Sequence, residues 1–134
     1  MIYLDSCALV KFIRREKESD ALRDWRGALA ADTELISSEL ALLEISRTLL
    51  RAGADPTRVP YYAGQAVRGI TVIDLTRPVL ARARAYETTK LGSLDAIHLA
   101  TADPLRAELT NFVTYDGELA AAARDLGFAV GAPA

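Results

Sequence analysis

Short apolar runs alternate with stretches of helical spacing along the whole chain. Ile2-Tyr3-Leu4 is a β-prone run that stops at Asp5-Ser6. Residues 7–15 then carry Ala8, Leu9, Phe12 and Ile13 at helix spacing. Ser19 or Asp20 opens a second helix through about Ala30, with Leu22, Trp25 and Leu29 on one side. Glu34–Ser37 reads as a second strand. Ser37 or Ser38 caps a strong helix that carries Glu39 in its first turn and stops at Gly53.

The second half repeats the alternation. Asp55-Pro56-Thr57 opens a helical stretch that ends near Gly69, and Ile70–Ile73 is the clearest strand. Arg77–Tyr86 reads as a helix with Pro78 in its first turn. Gly92-Ser93 caps a helix from Leu94 to about Thr101, and Pro104 ends or kinks it at Asp103. Asn111–Thr114 is a fourth strand, Asp116 starts a last helix closed by Gly127, and Phe128–Val130 is an edge-type fifth strand. The tail, Gly131–Ala134, is expected to fray. Strands alternating with helices predict an α/β fold in three layers: a mostly parallel sheet of about five short strands between helices.

Length and composition narrow the function. At 134 residues the chain is expected to form one domain over 1–134, and at 51% hydrophobic it can bury a core. A net charge of −2 excludes holding nucleic acid by overall charge, though not an enzyme that acts on nucleic acid through metal ions. One cysteine, Cys7, excludes an internal disulfide and cysteine-rich zinc modules. One histidine, His98, excludes multi-histidine metal sites. No apolar run approaches the roughly 20 residues of a membrane span, and the N-terminus has no signal-peptide pattern. A soluble, cytoplasmic protein is the expectation.

The chemistry falls to carboxylates. Asp5 and Asp116 lie past the carboxyl ends of two predicted strands, where open parallel sheets bind ligands. Asp95 is in the first turn of its helix, and Glu44 is mid-helix among apolar neighbours. Singly, each also serves as an ordinary turn, helix-start or solvated residue. Brought to ~4 Å, two carboxylates repel by about 4 kcal/mol at an effective dielectric near 20, so a cluster needs a cation or protons. Oxygen donors without His or Cys suit Mg²⁺ or Mn²⁺.

The segments MIYLDSCALVKF, SSELALLEISRTL, GSLDAIHLATA and FVTYDGELAAAARDLGF carry these acids. Together they resemble the PIN-domain ribonucleases, and more narrowly the VapC toxins of VapBC toxin–antitoxin pairs, over nearly the whole chain. The resemblance implies a metal-dependent endoribonuclease. Asp5, Asp95 and Asp116 would hold the cation, Glu44 would hold or deprotonate water, and the products would carry a 5′-phosphate and a 3′-hydroxyl. It also implies a VapB-type antitoxin as partner, and a homodimer within a toxin–antitoxin assembly. Two departures stand out. Ser6 and Cys7 follow Asp5 where the family often has Thr or Ser at both, and Asp103–Thr110 is unusually charged.

Several further residues are candidates. Ser6 and Thr114 each adjoin an acid and can orient it. His98 shares a helix face with Asp95, as a packed or supporting residue, and Cys7 reads as a small core residue. Arg14, Arg15, Arg47 and Arg51 can meet RNA phosphates. Trp25, flanked by charged residues, is a candidate antitoxin contact beside Phe12, Ile13, Leu22 and Leu29. Two rival readings are a catalytically weak interaction domain on the same fold and a response-regulator receiver with Asp74 as phospho-acceptor. The receiver lacks an acidic pair after the first strand, since Leu4 precedes Asp5.

Overall fold

The computed structural model describes residues 1–134. In chain order the elements are β1 (Ile2–Leu4), α1 (Ser6–Val10), α2 (Ser19–Gly27), β2 (Leu35–Ser38), α3 (Leu40–Arg51) and α4 (Val59–Ala66). They continue with β3 (Thr71–Ile73), α5 (Arg77–Ala85), α6 (Ser93–Ala102), β4 (Asn111–Val113), α7 (Gly117–Asp125) and β5 (Val130–Gly131). All five strands are parallel, in the order β3-β2-β1-β4-β5. The α/β three-layer expectation holds.

Side-chain alternation along the strands separates two cores. Ile2, Leu4, Leu35 and Val113 face α1, α2, α3 and α4. Tyr3, Ile36 and Phe112 face α6 and α7, with Leu99, Leu119 and Ala123. β1 is buried on both faces, as befits the central strand. The chain winds outward from β1 through β2 to β3, then returns to the other side of β1 as β4. The order therefore reverses between β1 and β4, and the crevice at their carboxyl ends is where such sheets take ligands.

Several boundaries differ from the sequence reading. α1 stops at Val10 because the next amides turn back one residue early: Lys11, Phe12 and Ile13 donate to Ala8, Leu9 and Val10. α2 stops at Gly27 rather than near Ala30. Asp55–Arg58 is a capping turn, with Asp55 accepting from the Thr57 amide and hydroxyl, and α4 begins only at Val59. The predicted kink at Pro104 is a short 3₁₀ turn, Asp103–Leu105. Phe128 is core rather than strand, and β5 starts at Val130. The tail is tied down: Thr114 donates its amide to Gly131, and Tyr115 donates its hydroxyl to Pro133. α3 ends as expected at Gly53, whose φ of +88° suits glycine. No helix is long and apolar enough to cross a membrane.

Candidate active site

Asp5 leaves β1 at the switch point and is 3% exposed. It caps α1, Oδ1 accepting from the Ala8 amide at 3.0 Å. The Cys7 thiol donates to both carboxylate oxygens, at 2.9 and 3.1 Å. The Thr114 hydroxyl donates to Oδ2 at 2.6 Å and accepts from the Asp116 amide at 3.0 Å. Thr114 therefore bridges the first acid and the last. Burial nevertheless pushes the Asp5 carboxyl above the usual carboxylate range, against these donors. Asp116 caps α7 through Oδ1, which accepts from the amides of Glu118 and Leu119. The helix-start roles that each acid can play alone are thus present here together with a shared location.

Glu44 lies on α3 and Asp95 in the first turn of α6, and Glu44 lines a cavity with Ser6 and Leu94, the chain neighbours of Asp5 and Asp95. The Asp95 carboxyl is pushed up to about 6, first by partial burial and next by the charge of Asp116. Asp5 and Glu44 push it the same way, and His98 opposes them. The charges of Asp116, Asp5 and Glu44 are thus felt at Asp95. No three His, Cys, Asp or Glu side chains form a group that could hold a metal ion as they stand. The donor set nonetheless suits a hard divalent cation: every donor is oxygen, and acidic neighbours add to the burial that raises Asp95.

Sequence reasoning missed the buried chain behind Glu44. His98, 1% exposed, places Nε2 at 2.5 Å from Glu44 Oε1 and Nδ1 at 2.6 Å from the Tyr3 hydroxyl. With Glu44 ionised, Nε2 carries the donated hydrogen and the Tyr3 hydroxyl donates to Nδ1. Tyr3 is fully buried and stacks on Phe112 at 4.9 Å. In sequence Tyr3 looks like any apolar strand residue, so only the polar tip could have marked it. Cys7 is also more than a small core residue: it is half-buried, and its thiol is committed to Asp5 and the Tyr115 amide.

The other candidates separate. Ser6 lines a cavity of about 240 Å³ with Glu44, Arg47, Thr48, Arg51 and Leu94. Arg15 instead pairs with Asp20, and Arg14 lies farther off beside Tyr62. Trp25 is half-buried against the α1–α4 core, whereas Leu22, on the same side of α2, is wholly buried. Asp74 is exposed beyond the edge strand β3, away from the switch point, which removes the geometry a receiver needs.

Comparison with known proteins decides the family: the profile described as PIN domain matches residues 2–125. The chain belongs to the PIN-domain family. This PIN domain is 38% identical to Ribonuclease VapC47 of Mycobacterium tuberculosis over 99% of this chain and 97% of that protein. It is 44% identical to Ribonuclease VapC35 of the same organism, again over 99% and 97%. It is an endoribonuclease of the VapC toxin group. Solved structures share its fold at low identity. Mycobacterium tuberculosis VapC20, a Sarcin-Ricin loop cleaving toxin, superposes with a TM-score of 0.74 at 16% identity over 96% of each chain. VapBC2 from Rickettsia felis, bound to a promoter DNA fragment, gives 0.72 at 16% identity over 98% of each.

Proposed function

We propose that this chain, acting as one PIN domain over residues 1–134, hydrolyses RNA internally with a divalent cation, Mg²⁺ or Mn²⁺, held by Asp5, Asp95 and Asp116. The observation that carries the reading is the Asp5–Thr114–Asp116 linkage at the β1–β4 switch point, with the charges of Asp116, Asp5 and Glu44 felt at Asp95. When bound, the cation supplies charge neutralisation at a phosphate oxygen and makes water more acidic. Asp5 cannot swing freely, because Ala8, Cys7 and Thr114 all donate to it. Glu44, oriented by His98, receives the proton of the attacking water. Thr114 supports Asp5 directly, and Ser6 faces the same crevice beside Glu44. Arg47 and Arg51, on the rim with Glu44, hold neighbouring phosphates. Fragments carry 5′-phosphate and 3′-hydroxyl ends.

The protein acts in the cytoplasm and pairs with a VapB-type antitoxin. An antitoxin Arg or Lys inserted among the acids would satisfy them and displace the cation. Trp25, half-buried beside Phe12 and Leu29, is a contact for that partner. A homodimer is supported by the exposed apolar side chains Leu43, Leu80 and Leu94 on α3, α5 and α6. The test is incubation of the purified chain with RNA in Mg²⁺, in excess EDTA, and as Asp95→Asn, with sequencing of fragment ends. Cutting only by the wild type in Mg²⁺ is expected. Undiminished cutting in EDTA or by Asp95→Asn overturns the metal mechanism.

A further inference from the structure

A polar cavity of about 320 Å³ opens beside the acids, lined by Ser6, Cys7, Val10, Lys11, Glu16 and Thr48. Both of its sides are anchored to catalytic groups. Ser6 and Cys7 directly follow Asp5, and the Cys7 thiol bonds it. Thr48 lies one helical turn beyond Glu44 on the same face of α3. Ser6 and Thr48 also line the cavity that holds Arg47 and Arg51, so the two spaces adjoin across the site.

The charged lining is held in place. Lys11 is only 8% exposed, which is unusual for lysine. Its ammonium lies 2.9 Å from Glu18 and 3.4 Å from Glu16, and 4.7 Å from the centroid of the Tyr115 ring. Two carboxylates and the Tyr115 ring hold it beside the cavity that Lys11 lines, where one of its three N–H groups can turn to a ligand. The Glu16 backbone is fixed in turn, its amide donating to Ser19 at 2.9 Å. Glu16 keeps free acceptor positions on its carboxylate. The cavity thus sets a buried cation donor next to a carboxylate acceptor.

We propose that this cavity is a nucleobase subsite for RNA, which receives a base flanking the scissile phosphate and selects one that presents a carbonyl beside a ring N–H, as guanine and uracil do. The inference rests on the ribonuclease reading and deepens it. Lys11 donates to the base carbonyl, where adenine and cytosine instead carry an exocyclic amine that cannot accept. Glu16 accepts from the ring N–H. Ser6 and Thr48 line the mouth. Phosphates run along Arg47 and Arg51, so backbone contacts and base reading use separate residues. Single-stranded RNA suits such a pocket, because its bases can turn out of the stack.

The test is deep sequencing of cut sites from a randomised RNA pool, in Mg²⁺, for the wild type, Glu16→Gln and Lys11→Met. Glu16→Gln keeps its shape at a partly exposed position and preserves folding if Lys11→Met does not. The wild type should show about tenfold preference for guanine or uracil at one position next to the cut. Both variants should flatten that position while cutting continues elsewhere in sequence space. A purely structural ion pair would change rate or melting temperature and leave base preference untouched, which overturns the subsite. A wild-type preference for adenine or cytosine at that position also overturns it. A wild type that cuts nothing overturns the ribonuclease reading itself and this inference with it.

Discussion

The His98 imidazole stands between two groups that the chain separates widely, with Glu44 Oε1 at 2.5 Å on one side and the Tyr3 hydroxyl at 2.6 Å on the other. The contact fixes the Glu44 carboxylate, which a mid-helix side chain with several free rotors would not achieve alone. Partners of this kind typically cost 10–100-fold in activity when removed. His98→Ala should lower kcat about that much with little change in KM. Tyr3→Phe keeps the stacking on Phe112 and removes only the hydroxyl. It should lower kcat about tenfold and cost about 1–3 kcal/mol of stability, because Nδ1 loses its partner inside the core. Steady-state kinetics beside urea unfolding separates the two effects, and unchanged kcat in both variants contradicts the role.

Thr114 should tolerate Ser and reject Val. Its hydroxyl serves Asp5 Oδ2 and the Asp116 amide at once. Thr114→Val matches its volume but leaves a buried carboxylate oxygen short of a donor, at a cost of about 1–3 kcal/mol. Thermal unfolding should show a loss for Val and near-wild-type behaviour for Ser. Cleavage should fall with Val, since Asp5 loses one of its restraints.

Asp95 links the site to stability. Its carboxyl titrates near 6 in the folded chain, above its ordinary value of 3.8. Between those values the folded state binds the proton more tightly than the unfolded chain, so stability falls as pH rises through the window. The cost then persists above pH 6. Asp95→Asn should raise the melting temperature at pH 8 without added metal, and the gain should vanish as pH falls towards 4. Asp95 is only half-buried, so solvent screening reduces the benefit to about 1 kcal/mol, or roughly 4 °C. Mg²⁺ should stabilise the wild type more than the variant. Melting curves across pH, with and without Mg²⁺, check both statements.

Trp25→Ala should weaken antitoxin binding more than it weakens cleavage. The ring is half-buried against the core, so some loss of melting temperature is also expected. Calorimetry with the purified antitoxin, paired with cleavage in its absence, decides the matter. Unchanged affinity with a sharp fall in melting temperature assigns Trp25 to the core alone.

The alternation of strands and helices, the acids past β1 and β4, and the caps at Asp116 and Gly53 were legible in the sequence, because each depends on neighbours within a few residues; the cap expected at Ser37 or Ser38 falls at Glu39 instead, since both serines belong to β2. Asp5 and Asp116 could be placed at strand ends before any fold was known, since strand ends are local. Their meeting could not, because it depends on the reversal of strand order between β1 and β4. α1 and α2 end before their local helix spacing runs out, because the amides that follow turn back three residues. The Tyr3–His98–Glu44 chain was invisible for a stronger reason. Tyr3 and His98 lie 95 residues apart, and each looks like ordinary core filling until packing brings their polar atoms together in a place without water. Sequence by itself determined which chemistry was available, carboxylates rather than thiols or imidazoles. Only the tertiary structure decided that Thr114 links Asp5 to Asp116 and that His98 holds Glu44, because buried hydrogen bonds depend on distance in space.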